Sequence, residues 1–181
     1  MRDFVIKPLN QACMDACQLR VDNLTKPIYS LAQLEKIAVR LAGIYNVEQP
    51  NHIKNGVLIF AGDTAVDGMQ NHTKGQESLA AVTRLGSGHS ATGAAAKKLE
   101  ADVTIVDVGL EQDTAAVKGI VNKKVANGAR FFGKAPAMTA EEMEATLEVG
   151  FQMADELAAK GVQAVALGNV GERSLLSGLA V

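Results

Sequence analysis

The sequence contains no tryptophan, only two cysteines, and no long run of apolar or basic residues. A membrane-spanning helix needs about 18 or more consecutive apolar residues, and no such stretch occurs, so we expect no membrane partner. The start, Met1 to Pro8, is interrupted by charge too soon for a signal peptide. The net charge of −2 and the scattered lysines and arginines give no electrostatic footprint for nucleic acid, which is therefore not an expected partner.

The two cysteines, Cys13 and Cys17, lie close together on a predicted helix. Without an export signal, two thiols favour a reducing, cytoplasmic location over a disulfide scaffold. One helical turn could present both to a shared metal. No cluster of histidine or cysteine lies nearby, so ordinary helix packing is the favoured interpretation.

The remaining composition is that of one folded domain and not of a disordered chain. Of 181 residues, 48% are apolar and 21% are charged, close to the averages of globular proteins. We expect residues 1–50 to form an amino-terminal helical segment. Residues 51–181 are expected to form a Rossmann-like α/β domain.

Helical signals dominate the first part of the chain. Pro27 breaks the chain after an earlier helix, which covers about Asn10 to Asn23. Ser30 and Gln33 fit a capping box, in which the hydroxyl and the amide each satisfy an exposed backbone donor. The next helix carries an apolar stripe at spacings of three and four residues, which predicts packing on a core: Leu31, Leu34, Ile37, Leu41 and Ile44.

Three short apolar runs later in the chain predict the strands of a parallel sheet. They cover residues 57–61, 103–109 and 163–168. They are rich in β-branched residues and do not alternate with polar ones, which is typical of strands buried on both faces. Helices are expected near residues 76–85 and 88–99.

A further helix is expected between the second and third strands. Thr139 and Glu142 form a capping box at its start, and Lys160-Gly161 ends it. Its predicted buried stripe is Met143, Leu147, Phe151, Ala154 and Leu157. Strands alternating with helices imply right-handed crossovers. The predicted fold class is therefore α/β, a Rossmann-like parallel sheet with flanking helices and an amino-terminal helical segment.

The loops after the three strands are the candidate binding site, because open α/β sheets bind ligands beyond the carboxyl ends of their strands. Each loop carries glycine, which permits close approach of a ligand. Asp63 and Asp107 could hold a ribose hydroxyl, orient a base or cap a helix, and capping is the commonest of these roles. Arg173 and Ser174 are candidate phosphate donors before a predicted helix start. The alternative is that all three loops are ordinary turns.

Other motifs argue against competing chemistries. The segment from Ser87 to Gly93 lacks the ending of a P-loop and the spacing of a dinucleotide-binding loop, so we interpret it as a helix–helix turn capped by Ser87 or Ser90. No serine lies in a G-x-S-x-G elbow, which disfavours a hydrolase. His72 fits a binding loop or, more commonly, a solvated one. No metal-like spacing relates the three histidines, so zinc is not expected: His52, His72 and His89.

Six segments match the motifs of one enzyme family in order and spacing, from about residue 6 to residue 174. Leu24-Thr25-Lys26-Pro27 with Ser30-Leu31 is similar to Leu-Thr-Lys-Pro-Pro-Gly-Ser-Leu, and residues 60–66 are similar to Phe-Ala-Ala-Asp-His-Gly-Val. The other four are Val106-Asp107-Val108-Gly109, Lys124-Val125-Ala126-Asn127-Gly128, Pro136-Ala137-Met138-Thr139 with Glu141-Glu142, and Gly168-Asn169-Val170-Gly171. The chain thus resembles the nicotinate-nucleotide–dimethylbenzimidazole phosphoribosyltransferases.

The resemblance implies a Rossmann-like large domain, a small helical domain built from both chain ends, and a homodimer. It implies transfer of phosphoribose from nicotinate mononucleotide to 5,6-dimethylbenzimidazole, which releases nicotinate and forms α-ribazole phosphate for the lower ligand of cobalamin. The chemistry is a displacement at the anomeric carbon with inversion. It needs a base for the proton of the attacking nitrogen and a site that fixes the phosphate. The resemblance implies no metal and no organic cofactor.

The site loops depart from the family's motifs. The family's Asp-His-Gly-Val corresponds to Asp63-Thr64-Ala65-Val66, and its Ser-x-Tyr-Pro aligns with Asn71-His72-Thr73-Lys74. In the phosphate loop, the family's glutamate is Asn169, its third glycine is Arg173, and its paired threonines are leucines. The family's catalytic glutamate lies in a half that has no counterpart here. These departures favour a partial or low-activity form, so we assign no catalytic residue.

Three functions follow from the resemblance and stay open. The chain is a transferase subunit completed by a second chain, a module that binds a nucleotide or benzimidazole without turnover, or a structural partner of a full-length relative. The expected ligand is nicotinate mononucleotide or a benzimidazole-type base. The expected assembly is a homodimer or a pair with a chain supplying the other half. The residues expected to bind substrate are Asp63, Thr64, Asn71, Gly168, Asn169, Gly171, Arg173 and Ser174.

Overall fold

The computed structural model describes residues 5–66 and 74–175. By its internal contacts the chain divides into two compact units, Met1–Ile53 and Lys54–Val181. No helix of the described ranges is long and apolar enough to cross a membrane.

The first unit is a pair of helices, α1 (Gln11–Asp22) and α2 (Gln33–Tyr45). The Asn10 side chain caps α1 by accepting a hydrogen bond from the Cys13 backbone N–H, and Asn23 follows its last residue. The helix predicted over about these residues is thus confirmed. The helices meet at Cys17, Val39 and Ala42, and burial raises the pKa of the Cys17 thiol.

Two predictions for α2 are wrong. Its N-cap is Ala32, with no side-chain hydrogen bond, so Ser30 and Gln33 form no capping box. The Glu35 carboxylate instead accepts the Leu31 N–H at 3.0 Å and the Lys26 ammonium at 2.9 Å, which fixes the turn before the helix. Most of the predicted stripe faces outward, with Leu34 65% exposed, because α1 packs against the side that carries Val39, Ala42 and the small Gly43.

The second unit contains a four-stranded sheet in which every pair is parallel. Its strands are β1 (Asn55–Gly62), β2 (Asp102–Gly109), β3 (Ile120–Asn122) and β4 (Ala164–Val170), in the order β3-β2-β1-β4. The three predicted strands and the α/β fold are confirmed. The sequence analysis missed β3, because a strand of three residues leaves no periodic signal.

Within the described part of this unit, three helices accompany the sheet: α3 (Gln76–Gly86), α4 (Ala91–Lys98) and α5 (Ala140–Ala159). Ser90 caps α4, and Thr139 with Glu142 forms the predicted capping box of α5. Val82 of α3 packs on one sheet face with Ala61, while α5 packs on the other face with Leu58 and Val106.

The predicted faces of α5 and β4 are wrong in part. The buried side of α5 is Val149, Met153 and Leu157, while Met143 is 46% exposed, because the helix lies over β1 and β2 with its amino-terminal half less covered. β4 is not buried on both faces: Leu167 is 75% exposed and Val165 is 41% exposed. β4 pairs only with β1 and is an edge strand among the described residues.

Candidate functional site

A cavity of about 270 Å³ opens at the carboxyl edge of the sheet, between the ends of β1, β2 and β4 and the first turns of α5. Most of its wall is apolar, and Phe60 provides the only aromatic ring among the described lining residues. None of those lining residues is lysine or arginine. The walls comprise Phe60, Gly62, Asp63, Thr64, Val108, Gly109, Val125, Ala126, Gly128, Ala129, Ala137, Met138, Glu142, Thr146, Asn169, Val170 and Ser174.

Asp63 joins the three loops that meet at this edge. Its Oδ1 accepts the Ser78 hydroxyl at 2.5 Å and the Glu172 N–H at 2.7 Å, and its Oδ2 accepts the Glu111 N–H at 2.9 Å. The side chain is buried. Both carboxylate oxygens therefore accept hydrogen bonds from within the protein. The backbone N–H groups that donate them are not available to a ligand anion.

Asp107 performs the same task inside the loop after β2. Its carboxylate accepts the N–H groups of Gly109 and Leu110 and the Thr114 hydroxyl. The Lys124 ammonium lies 3.5 Å from it and also donates to the Gln112 carbonyl at 2.5 Å. Neither aspartate is a helix cap, so the interpretation favoured from the sequence is replaced by a loop-fixing role for both.

Only some of the substrate-binding residues predicted in the loop after β4 lie at the cavity. Asn169 and Ser174 line the cavity, and the Asn169 amide donates to the Ser174 carbonyl at 2.6 Å. Gly168 lines a separate groove beside α4. Arg173 has a left-handed backbone, with φ of 59°.

Gly171 must be glycine for a reason internal to the fold. Its φ is 142°, and a Cβ there would lie 2.0 Å from the carbonyl oxygen of Gly62. This close approach brings the β4 loop onto the β1 loop, and the backbone N–H of Thr64 donates to the Glu172 carbonyl at 3.0 Å. Thr64 lines the cavity, whereas Asn71 lies outside the described residues.

Glu142 lies in the cavity wall at the start of α5, and its charge is already paired. The Arg130 guanidinium binds it through two nitrogens, and the Thr139 N–H donates to it at 2.7 Å. The hydrogen bonds from Arg130 first, and then from the Thr139 backbone, lower the pKa of Glu142. A carboxylate with a lowered pKa is a poor proton acceptor, so Glu142 is unsuited as a general base.

The sequence analysis missed the apolar walls of the cavity. Besides strand residues, they come from segments 125–129 and 137–138, which the motif comparison singles out only as signs of a family. The signal was present, because small and apolar residues in loops beside a strand edge are typical of a pocket wall. No three acidic, histidine or cysteine side chains within residues 5–66 and 74–175 are grouped to hold a metal ion.

Comparison with protein families gives one match over nearly the whole chain. A family described as phosphoribosyltransferase matches residues 6–178. A nicotinate-nucleotide–dimethylbenzimidazole phosphoribosyltransferase of Geobacter sulfurreducens is 36% identical over 168 residues, which are 92% of this chain and 47% of the relative. The enzyme of the same description from Acetivibrio thermocellus is 37% identical over 160 residues, covering 87% of this chain and 45% of the relative.

A solved structure shares the fold. The nicotinate-nucleotide–dimethylbenzimidazole phosphoribosyltransferase of Thermus thermophilus superimposes with a TM-score of 0.83 and 28% identity. The match covers 92% of this chain and 51% of that one. The chain therefore spans about half the length of the relatives it matches.

Proposed function

We propose, since the chain belongs to the nicotinate-nucleotide–dimethylbenzimidazole phosphoribosyltransferase family, that it is the base-binding half of such a transferase. The reaction is the one that forms α-ribazole phosphate for the lower ligand of cobalamin. A benzimidazole nitrogen attacks the anomeric carbon of nicotinate mononucleotide, the bond from that carbon to nicotinate breaks, and the attacking ring loses its N–H proton to a base.

The lining of the cavity is the observation that carries this proposal. Ligand pockets commonly measure ~300–1,000 Å³ and combine apolar walls with a few polar groups. A cavity of about 270 Å³ lies just below that range and suits one planar bicyclic ring. Phe60, Val108 and Met138 offer apolar contact to such a ring, while Thr64 and Ser174 offer hydrogen bonds to its nitrogens.

The same lining argues against this cavity as the phosphate site. None of its described lining residues carries a positive charge, and the Asp63 carboxylate already binds the Glu172 and Glu111 amides. We therefore assign the base, and not the phosphoribosyl group, to this cavity. We expect the phosphate to bind at a site to which another part of the complete enzyme contributes residues.

Proton removal is also assigned to the other half. The acidic side chains in the wall are Asp63 and Glu142, and both are engaged in hydrogen bonds within the chain. This arrangement favours binding of the base without turnover by the chain alone, which is the second candidate function. A homodimer or a pair with the complementary half, and a location in the cytoplasm, remain predictions from the family and the sequence.

A substitution that fills the cavity tests the assignment. Ala137 lines the cavity, so Ala137→Phe should abolish the rise in melting temperature that 5,6-dimethylbenzimidazole produces in the parent chain. Ala135 is exposed on the same loop and lies outside the wall, so Ala135→Phe should keep the full shift. Equal shifts in the two variants would contradict base binding here.

A further inference from the structure

The chain contains two asparagines that are followed directly by glycine, and the structure places the two pairs in different surroundings. Asn55 begins β1, and the next residue, Gly56, is buried and paired with both β2 and β4. Asn127 instead lies in the irregular segment after β3 and is exposed. Only the second pair therefore has a backbone that no neighbouring strand holds.

The peptide nitrogen that follows Asn127 is open to reaction. Within the described residues the Gly128 N–H donates no hydrogen bond, and the side-chain amide of Asn127 makes none either. Gly128 has no side chain that could shield its nitrogen, and its φ of 72° lies in the left-handed region that favours glycine. An exposed amide thus lies beside an unhindered peptide nitrogen, which is the nucleophile that attacks such an amide.

We propose that Asn127 is a site of spontaneous deamidation, and that the isoaspartyl form of the chain has a displaced cavity wall. The Gly128 nitrogen attacks the Asn127 Cγ, a C–N bond forms and closes a cyclic imide, and the Cγ–Nδ2 bond breaks. Ammonia leaves with the proton of the Gly128 N–H. Water then opens the imide at either carbonyl, which gives aspartate or isoaspartate without any oxidation or reduction.

The isoaspartyl product changes the course of the backbone. Its main chain passes through the former side chain, so it is longer by one methylene between residues 127 and 128. The segment is anchored on both sides of this point. The Val125 N–H donates to the Val108 carbonyl at 3.1 Å, and the Ala129 N–H donates to the Asp63 carbonyl at 2.9 Å. The added length must therefore displace the backbone between the anchors or break one of them.

The anchored segment belongs to the wall of the cavity. Val125, Ala126, Gly128 and Ala129 line it, whereas Asn127 is not among the lining residues. Aspartate would add only an exposed charge at residue 127, while isoaspartate would move the wall itself. The consequence for a bound base, which rests on the proposed function, should therefore follow the isoaspartate content and not the added charge.

Peptide mapping of aged protein tests the site. The full chain is incubated in mildly alkaline buffer and cut with trypsin, which releases residues 125–130 as a peptide whose only asparagine is Asn127. Because a residue held in a sheet reacts only after local opening, Asn127 should deamidate more than about tenfold faster than Asn55. Fragment ions locate the change at Asn55, since its peptide also contains Asn71. Equal rates, or an unmodified Asn127, would overturn the proposal.

Two variants separate the modification from its charge. Asn127→Gln should stay unmodified during the same incubation, because its longer side chain closes the larger imide far more slowly. Freshly prepared Asn127→Asp carries the charge without the added methylene. The Ala129 amide, whose hydrogen bond to Asp63 anchors the wall, should exchange with solvent faster in the isoaspartyl form than in either variant. Unchanged exchange in that form would contradict the displaced wall.

Binding of 5,6-dimethylbenzimidazole reports the consequence for the cavity. The rise in melting temperature that the base produces should shrink as the isoaspartate content of the parent chain increases, and should remain complete in both variants. A full rise in isoaspartyl protein, or an equal loss in fresh Asn127→Asp, would overturn this consequence. Peptide mapping and amide exchange need no ligand. A fresh parent chain without any rise would therefore contradict the proposed function and leave the test of the modification intact.

Discussion

Single buried carboxylates organise both units of the chain. Asp63 holds three loops at the carboxyl edge of the sheet, and Asp107 holds the loop after β2. In the first unit, Glu35 fixes the turn before α2. The positions of Asp63 and Asp107 at strand ends were predictable from the sequence. The backbone donors of Asp63 were not predictable, because Glu111 and Glu172 lie far away from it in the chain.

Replacing Asp63 tests its loop-fixing role. Asp63→Asn presents an amide N–H₂ group to buried donors that need an acceptor, so the free energy of unfolding should fall by about 2–3 kcal/mol. Asp113 is exposed and accepts a local N–H from Ala115, so Asp113→Asn should change that free energy by less than about 0.5 kcal/mol. Urea denaturation followed by circular dichroism measures both. Similar values for the two variants would contradict the role.

The ion pair of Glu35 predicts acid sensitivity of the first unit. The hydrogen bond from Lys26, followed by that from the Leu31 backbone, lowers the pKa of Glu35 below its ordinary value of 4.5. The folded state therefore favours the charged form. The resulting stabilisation is complete above pH 4.5 and is lost as the pH falls through the lowered pKa.

Tyrosine fluorescence reports this effect selectively. The chain has two tyrosines and no tryptophan, and Tyr29 and Tyr45 both belong to the first unit. The urea concentration at the denaturation midpoint, read by this signal, should decrease as the pH drops below 4.5. This decrease is expected in the parent chain and in Glu48→Gln, an exposed control. In Glu35→Gln the midpoint should be lower than that of the parent chain at neutral pH. It should not decrease further as the pH drops below 4.5. A parent midpoint that is independent of acid would refute the assignment.

At the scale of helices and strands, local signals predicted where elements occur but not which side they bury. The Thr139–Glu142 capping box fixed the start of α5, because its hydrogen bonds are local. The buried face depended on where the helix crosses the sheet, and both apolar stripes were therefore assigned wrongly in part. β4 shows the same limit, since an apolar run alone does not distinguish an edge strand from a central one.

Two methionines on α5 provide a matched test of its orientation. Met153 is 1% exposed and packs with Leu58, whereas Met143 is 46% exposed. Met153→Ala should lower the free energy of unfolding by ~2–4 kcal/mol, because it leaves a cavity in the core. Met143→Ala should cost less than about 0.5 kcal/mol. Chemical denaturation measures both, and a larger loss for Met143→Ala would restore the orientation predicted from the sequence.

At the scale of the whole molecule, the chain carries the scaffold of a transferase without a suitable general base among the described lining residues of its cavity. The candidate loops were predictable from the fold, and Thr64, Asn169 and Ser174 do line the cavity. The part of the apolar wall formed by segments 125–129 and 137–138 was not predicted, because it depends on how these segments pack against the sheet edge.

Calorimetric titration of the isolated chain tests the central claim most directly. The chain should bind 5,6-dimethylbenzimidazole at one site, and nicotinate mononucleotide should bind more weakly, because the cavity is apolar and its described wall carries no cation. Absence of heat with the base, or tighter binding of the mononucleotide than of the base, would contradict the assignment of this chain as the base-binding half.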